Sequence, residues 1–163
     1  MTELREVLSA LVASAARFVV IGGVALRLQG SAYVTVDLDL AYERTHDNAQ
    51  RIVRALGRFA PRPRGFPPDV PFVFDAQTLM SNEVLTLATT AGDIDLLAVV
   101  KGLGNFPQID AVAETIDFDG FSLRVLSVDG LIAAKTAAGR EKDRPGLVEL
   151  EAIKELRRVD RDA

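Results

Sequence analysis

Two aspartates lie one residue apart in an apolar stretch, and this pattern constrains the chain more than any other. Successive side chains of a strand point to opposite faces. The stretch therefore predicts a strand over 33–41 with Thr35, Asp37 and Asp39 on one face. The other face is predicted to enter the core through Val34, Val36, Leu38 and Leu40. Adjacent carboxylates raise each other's pKa unless a cation lies between them. Mg²⁺ suits such a pair, because it binds one or two carboxylates together with substrate phosphates.

A pair of glycines precedes this strand by a short distance. The apolar run 18–21 predicts a buried strand that ends at Gly22-Gly23, and a short helix is expected over 24–28. Glycine permits a tight turn and lets a backbone or a phosphate approach closely. The amides at the start of the following helix would form a natural anion site.

A third acid comes from a second predicted strand, 93–100, in which Asp93 and Asp95 share a face. Asp93 follows Gly92 at the start of that strand and could serve only the turn. Asp95 lies inside the strand and is the favoured candidate.

These motifs together resemble a known family. Gly22-Gly23, Gly30-Ser31, Thr35 and Asp37-Leu-Asp39 look like the signature of the nucleotidyltransferase superfold, whose members include DNA polymerase β. The strings Gly92-Asp-Ile-Asp-Leu-Leu and Leu131-Ile-Ala-Ala-Lys…Gly-Arg-Glu-Lys-Asp143 are also similar, so the resemblance covers about residues 17–150. The chain most resembles a small bacterial branch allied to nucleotidyltransferase toxins of the abortive-infection type.

The resemblance implies a fold and a set of site residues. The fold would be α+β, with a mixed sheet flanked by helices in a single domain over 1–163. Asp37, Asp39 and Asp95 would be catalytic and would hold Mg²⁺ or Mn²⁺, and Asp95 could also help to deprotonate the acceptor. The implied nucleotide-binding residues are Gly22, Gly23, Thr35, Lys135 and Arg140.

The implied reaction is transfer of an NMP from an NTP to an acceptor that the sequence does not identify. The acceptor could be a tRNA, a protein or a small molecule, and the chain could be the toxin of a toxin–antitoxin pair with a cognate antitoxin as partner. Two alternatives stay open. One is a catalytically silent protein of the same fold that acts as a binding or regulatory partner, and the other is a hydrolase that uses the same metals.

Three basic residues near the C-terminus have a functional and a structural interpretation. Lys135 could contact phosphates or the acids, or it could be a solvated helix lysine; the functional interpretation is slightly favoured. Arg140 and Lys142 are balanced between the same alternatives. Two positions depart from the family pattern: Gly146 stands where an acid is usual, and Tyr33 stands where an arginine is usual.

Six arginines but one acid, Asp47, occur between Arg44 and Arg64. Such a local excess could bind an acidic acceptor such as tRNA. A solvated helix face, on which Arg51, Arg54 and Arg58 lie together, is the favoured explanation. His46 is expected to be a capping or surface residue.

Composition places the chain among globular proteins. Its 163 residues are 48% hydrophobic and 26% charged, and the net charge of −4 argues against a surface that coats nucleic acid. Cysteine is absent, so neither disulfides nor thiolate metal sites can form. The N-terminal segment carries acids and does not resemble a signal peptide, and the apolar runs are too short for a membrane span. A cytoplasmic protein without membrane contact is therefore expected.

Periodicity predicts the remaining elements. Further helices are expected over 3–16, 47–59, 108–114, from Ser127 or Asp129 to 138, and over 144–158. Further strands are expected over 72–74, 84–88 and 121–126, the last in a hairpin around Asp119-Gly120; residues 61–68 and 102–105 are expected to be loops.

Overall fold

The computed structural model describes residues 2–163, with the side chain of residue 2 excluded. The helices are α1 Thr2–Ala13, α2 Gly22–Leu28, α3 His46–Leu56, α4 Ala76–Ser81, α5 Phe106–Ala111, α6 Val128–Ala138 and α7 Arg144–Asp162. The strands are β1 Phe18–Ile21, β2 Leu38–Tyr42, β3 Arg62–Pro63, β4 Val84–Thr89, β5 Gly92–Leu97, β6 Val99–Val100, β7 Gly104–Asn105, β8 Ala113–Phe118 and β9 Phe121–Leu126.

Seven strands form one mixed sheet in the order β3-β4-β5-β2-β1-β9-β8. The pairs β2–β5 and β1–β9 are parallel, and the other neighbours are antiparallel. Strands β6 and β7 form a separate two-stranded hairpin. The predicted α+β class with a mixed sheet is therefore confirmed.

The two faces of the sheet carry different helices. Leu38, Leu40 and Ile94 are at most 3% exposed and belong to the core, on the face that also carries α1, α3 and α4. Tyr42 continues this face, and its hydroxyl donates to the carbonyl of Leu79 in α4 at 3.0 Å. Helix α6 lies over the opposite face, and α7 packs against α6.

The termini of several helices follow the sequence signals. The side chain of Thr45 caps α3, and that of Ser127 caps α6, so these two residues rather than Asp47 and Asp129 make the cap hydrogen bonds. Gly139 ends α6 with a φ of 63°, in the left-handed region that glycine adopts without strain.

None of the helices within residues 2–163 combines the length and apolar character that crossing a membrane requires.

The strand predicted over 33–41 is wrong at its first half, because β2 begins only at Leu38. Residues 31–37 pair with no strand, and Val34 and Val36 are 82% and 87% exposed instead of buried. The segment is held from the side by α7: Glu149 accepts from the Ser31 hydroxyl at 2.7 Å and from the Ala32 amide at 3.0 Å. Alternation alone could not reveal that no neighbouring strand is available.

Other differences concern short elements. The strand predicted over 72–74 is wrong, because Phe72 packs edge-to-face on Phe66 in an irregular loop and Asp75 caps the unpredicted helix α4. The strand predicted over 93–100 divides into β5 and β6, and the loop predicted over 102–105 contains β7. Helix α7 extends four residues beyond the predicted end, from 158 to Asp162.

Leu40→Ala and Val34→Ala test the corrected boundary of β2. Leu40 is 1% exposed, so its truncation should lower the free energy of unfolding by about 2–5 kcal/mol. Val34 is exposed, so its truncation should change that free energy by less than about 0.5 kcal/mol. Urea unfolding followed by circular dichroism measures both. Equal losses for the two variants would contradict the assignment of Val34 to an unpaired segment.

Candidate active site

Four strands bring one residue each into a row across the sheet. Ile21 of β1 lies opposite Asp39 of β2, Asp39 lies opposite Asp95 of β5, and Asp95 lies opposite Thr86 of β4. Directly paired residues share a face of the sheet, so the two aspartates are neighbours on the face that α6 covers only in part. The sequence-based choice of Asp95 as the partner of Asp39 thus agrees with the register.

The electrostatics of this pair favour a positive ion. The pKa of Asp39 is raised from 3.8 to about 6 by burial, by the charge of Asp95, by a hydrogen bond to the Asp95 side chain and by the charge of Asp37. The charge of Arg64 acts in the opposite direction without cancelling the shift. Burial is the largest cause of the raised pKa, and a cation between Asp39 and Asp95 would remove the part that the repulsion between the carboxylates contributes.

Gly22 lies against the first of these carboxylates. Its φ is 65°, and a Cβ atom added to it would overlap Oδ2 of Asp39. Both the backbone conformation and the contact therefore require glycine at this position. The glycine turn therefore lies directly against the Asp39 carboxylate.

Gly23 lies against the unpaired segment before β2. A Cβ atom at Gly23 would approach Oγ1 of Thr35 and Cε1 of Tyr33 to 3.0 Å each. Tyr33, which stands where the family pattern has an arginine, therefore packs on the glycine turn and is 51% exposed. The hydroxyl of Thr35 bonds the backbone of Asp37 at 3.3 Å, so Thr35 shapes the approach to β2.

The row that contains Asp39 and Asp95 is called the acidic row below. A cavity of about 340 Å³ lies between this acidic row and α6. Five of the predicted site residues line it: Gly22, Asp39, Asp95, Lys135 and Arg140. Its apolar wall includes Ile21, Val84, Leu97, Val100, Leu126 and Leu131. The cavity is therefore lined by residues of β1, β2, β5 and α6, elements that come from separate parts of the sequence.

Lys135 and Arg140 both bind Asp143, an acid that the sequence analysis did not single out. Lys135 Nζ lies 3.2 Å from Asp143 Oδ1, and Arg140 Nε lies 2.7 Å from Asp143 Oδ2. Burial acts to raise the pKa of Asp143, but the hydrogen bonds from Arg140 and Lys135 outweigh it and lower the pKa. These ion pairs give the cluster a structural role, because they join Lys135 and Arg140 to Asp143. Two cations around one acid also leave a net positive charge beside the cavity, which can attract phosphate.

Gly146 is explained by the same cluster. A Cβ atom at Gly146 would lie 3.3 Å from Cε of Lys135, so an acid there would compete for the lysine that Asp143 already binds. The absence of the usual acid does not leave α7 unattached, because Glu149 binds the segment before β2 and Lys154 binds Asp129 at 2.9 Å.

Asp37 and Asp93 each lie two residues before a member of the central pair, Asp37 in the unpaired segment before β2 and Asp93 within β5. Both line a separate cavity of about 170 Å³, together with Thr35 and residues of α1. Asp37 is close enough for its charge to raise the pKa of Asp39, but it does not line the larger cavity. Thr35, predicted to bind nucleotide, is likewise outside the larger cavity.

Arg64 is the residue at this site that the sequence analysis missed. Its Nη2 lies 2.6 Å from Asp95 Oδ1, and its Nε lies 3.2 Å from Asp93 Oδ2. The sequence placed it only in an arginine-rich stretch, and nothing in that pattern links it to Asp95, 31 residues later.

Lys101 is a second residue that the sequence analysis did not select, and it lines the larger cavity. It lies in the β6–β7 hairpin, which docks closely on α6: a Cβ atom at Gly102 would lie 3.0 Å from the Ala133 carbonyl oxygen. The described residues provide no acidic partner for Lys101, in contrast to Lys135 and Arg140. It therefore offers the cavity an uncompensated positive charge.

The arginines between Arg44 and Arg64 are used mainly within the fold. Arg44 donates to the Met80 carbonyl, Arg51 to the Ala15 carbonyl and Arg62 to the carbonyls of Pro67 and Val70, while Arg58 stacks on Phe59. These contacts favour the structural explanation over a free basic surface. The His46 ring lies within hydrogen-bond distance of Gln50 Nε2, at 3.2 Å, and His46 is an exposed surface residue.

The donor set fits a cation that brings its own additional ligands. Within residues 2–163, no three of the Asp, Glu and His side chains form a group that could hold a metal ion without help. The Asp39–Asp95 pair supplies two carboxylates at adjacent register positions, which is the usual protein share of a Mg²⁺ site completed by phosphate oxygens.

The fold can be compared with known proteins. No protein-family model matches the sequence, and no curated protein matches it either. The structure resembles that of a Thermotoga maritima protein described as a "putative nucleotidyltransferase", over 98% of this chain and 91% of that one, with 18% sequence identity and a TM-score of 0.54. The two chains share a fold. This likeness confirms the predicted α+β fold, with a mixed sheet flanked by helices.

Asp39→Asn tests the electrostatics of the row in buffer without divalent cations. The folded-state pKa of Asp39 lies above that of an unfolded chain, so Asp39 favours folding most below about pH 4 and loses this contribution as the pH rises through about 6. Asparagine does not ionise, so the variant should match the parent protein near pH 4 and be more stable by up to about 3 kcal/mol at pH 8. Urea unfolding across this range measures the difference.

Asp69→Asn, at an exposed loop position, is the control and should show no such trend. A stability difference for Asp39→Asn that stays constant between pH 4 and 8 would contradict the raised pKa.

Proposed function

We propose that this chain is a metal-dependent nucleotidyltransferase that moves an NMP from an NTP to an acceptor hydroxyl. The observation that supports this most directly is the register pairing of Asp39 with Asp95 beside Gly22, on the floor of a cavity that also presents Lys101, Lys135 and Arg140. The shared fold with a protein described as a nucleotidyltransferase supports the same reaction class.

In this proposal the acidic residues hold Mg²⁺ or Mn²⁺. Asp39 and Asp95 are the two carboxylates that the sheet brings together, and Asp37 adds a third negative charge beside them. When bound, the cation would neutralise charge on the phosphates and polarise the reacting phosphoryl group.

In the proposed reaction Asp95 also receives a proton, and the glycine turn and the basic residues bind the substrate. The acceptor oxygen forms a bond to the α-phosphorus, the bond from that phosphorus to the pyrophosphate oxygen breaks, and pyrophosphate leaves. The Asp95 carboxylate receives the proton of the acceptor hydroxyl. Gly22 and Gly23 let the phosphates approach the backbone, and the basic side chains of the cavity compensate the phosphate charge.

The acceptor in this proposal is a tRNA, a protein or a small molecule in the cytoplasm, and the chain acts as the toxin of a toxin–antitoxin pair. Acceptor binding would use the exposed segment 32–36 and the loop after β3, which flank the acidic row.

Two observations favour a second candidate, a non-catalytic protein of the same fold. Arg64 already neutralises Asp95 and Asp93 in part, and Tyr33 replaces the usual arginine. Titration with Mg²⁺–NTP distinguishes the two, because a silent protein should show no binding that Asp37→Ala or Asp39→Ala abolishes.

The direct test uses each α-labelled NTP with Mg²⁺ or Mn²⁺ and total tRNA or cell lysate. Label should enter one class of molecule with the parent protein and be lost with Asp39→Ala. Release of labelled NMP without a labelled product would indicate hydrolysis instead, and absence of any product would contradict the proposal.

Lys101→Ala tests the assignment of the cavity to the nucleotide. Loss of an unpaired cation from the cavity should weaken Mg²⁺–NTP binding about tenfold, which is about 1.4 kcal/mol. Lys142→Ala removes the same charge from an exposed position outside the cavity and should leave the affinity unchanged. Isothermal titration measures both, and equal effects would show a general charge effect and not a site.

A further inference from the structure

We propose that Arg64 is a built-in counter-ion of the acidic row, and that it competes with a divalent cation for Asp95. This inference rests on the proposed function, because the cation is the one that the transfer reaction would use. It goes further by assigning to one side chain the control of cation binding when no nucleotide is present.

Arg64 already binds a carboxylate that a cation at this site would use. Its Nη2 donates to Asp95 Oδ1 at 2.6 Å, and its Nε lies 3.2 Å from Asp93 Oδ2. Asp95 is the register partner of Asp39, so a cation between these two side chains would meet the guanidinium at the same carboxylate. Two positive groups at one carboxylate repel each other and therefore compete for it.

The backbone around Arg64 holds the guanidinium in this position. Strand β3 pairs with β4 at the edge of the sheet, and the amide of Arg64 donates to the Thr86 carbonyl at 2.9 Å. Thr86 is the register partner of Asp95, so the side chain of Arg64 needs to cross only one strand to reach the acid. Its Nη2 also donates to the Leu87 carbonyl at 3.4 Å.

The loop that follows Arg64 is closed on itself, independently of the acids. Arg62 Nη2 donates to the carbonyls of Pro67 and Val70, at 3.0 and 2.6 Å, and Phe66 packs edge-to-face on Phe72. Release of the Arg64 side chain would therefore leave the loop intact. Exchange of the guanidinium is a side-chain movement and does not require unfolding of this segment.

The ion pair is also weak enough to be exchanged. The side chains of Arg64, Asp93 and Asp95 are 37%, 40% and 23% exposed, and ion pairs at such positions contribute little to stability. One guanidinium faces four carboxylates in this region, Asp37, Asp39, Asp93 and Asp95, so the region keeps an excess of negative charge. A divalent cation that arrives with phosphate ligands can displace Arg64, whereas a free cation must compete with it.

The test measures binding of Mn²⁺ or Mg²⁺ alone, without nucleotide, by isothermal titration. Arg64→Gln should bind Mn²⁺ about tenfold more tightly than the parent protein, because the competing charge is gone while a polar, unbranched side chain with a hydrogen-bond donor is kept. Arg64→Lys should fall between the two. Asp95→Asn should bind Mn²⁺ much more weakly in either background.

Arg58→Gln is the matched control. It changes the net charge equally, but Arg58 stacks on the ring of Phe59, 5.1 Å from the ring centroid, and has no acidic partner among residues 2–163. Its Mn²⁺ affinity should equal that of the parent protein. Circular dichroism and urea unfolding verify that each variant is folded, and Arg64→Lys carries the test if Arg64→Gln does not fold.

Unchanged or weaker Mn²⁺ binding by folded Arg64 variants, or an equal gain in Arg58→Gln, would overturn the inference. The transfer assay separates this outcome from failure of the proposed function. If the protein transfers label in an Asp39-dependent manner but the Arg64 variants bind Mn²⁺ like the parent protein, only the competition between Arg64 and the cation is refuted. Tighter Mn²⁺ binding by Arg64→Gln without any transfer would support the competition and refute the enzymatic proposal.

Discussion

The parallel pairing of β2 with β5 is the constraint on which the site depends. It sets Asp39 directly opposite Asp95, although 56 positions separate them in the printed sequence. Leu38, Leu40, Ile94 and Leu96 occupy the other face of the same two strands and are nearly fully buried. A slip of one residue would move these leucines and the isoleucine into water and the acids into the core. Burial of the hydrophobic face therefore fixes the position of the carboxylates.

Two clusters compensate charge around the cavity in different ways. Asp143 is buried and binds both Lys135 and Arg140, so it joins α6 to the start of α7 and leaves a net positive charge. The acidic row, with the neighbouring Asp37 and Asp93, is more exposed than Asp143. It has one guanidinium, that of Arg64, for these four carboxylates, which leaves a net negative charge. A nucleotide with its cation carries both signs of charge, with the cation suited to the acids and the phosphates suited to the basic side.

Much of the fold follows from local pattern. Strand β1, the hairpin at Asp119-Gly120 and helix α6 lie where the sequence placed them, because short apolar runs, turn dipeptides and cap residues act over a few positions. The strand predicted over 33–41 was wrong before Leu38, since alternation does not tell whether a neighbouring strand is present to pair. Helix α4 was missed, because six residues are too few for a clear helical period.

The sequence by itself determined the acids and the glycine turn, because these depend on residue type and short spacing, and the resemblance of its motifs to a known superfold selected the α+β class. Contact of Gly22 with Asp39 and pairing of Asp39 with Asp95 agree with that prediction. Only the tertiary structure decided which charges meet: Arg64 with Asp95, Lys135 and Arg140 with Asp143, and Lys101 with the cavity. Ion pairs between distant segments depend on strand order and loop path, and the local sequence around a single arginine or lysine contains no record of either.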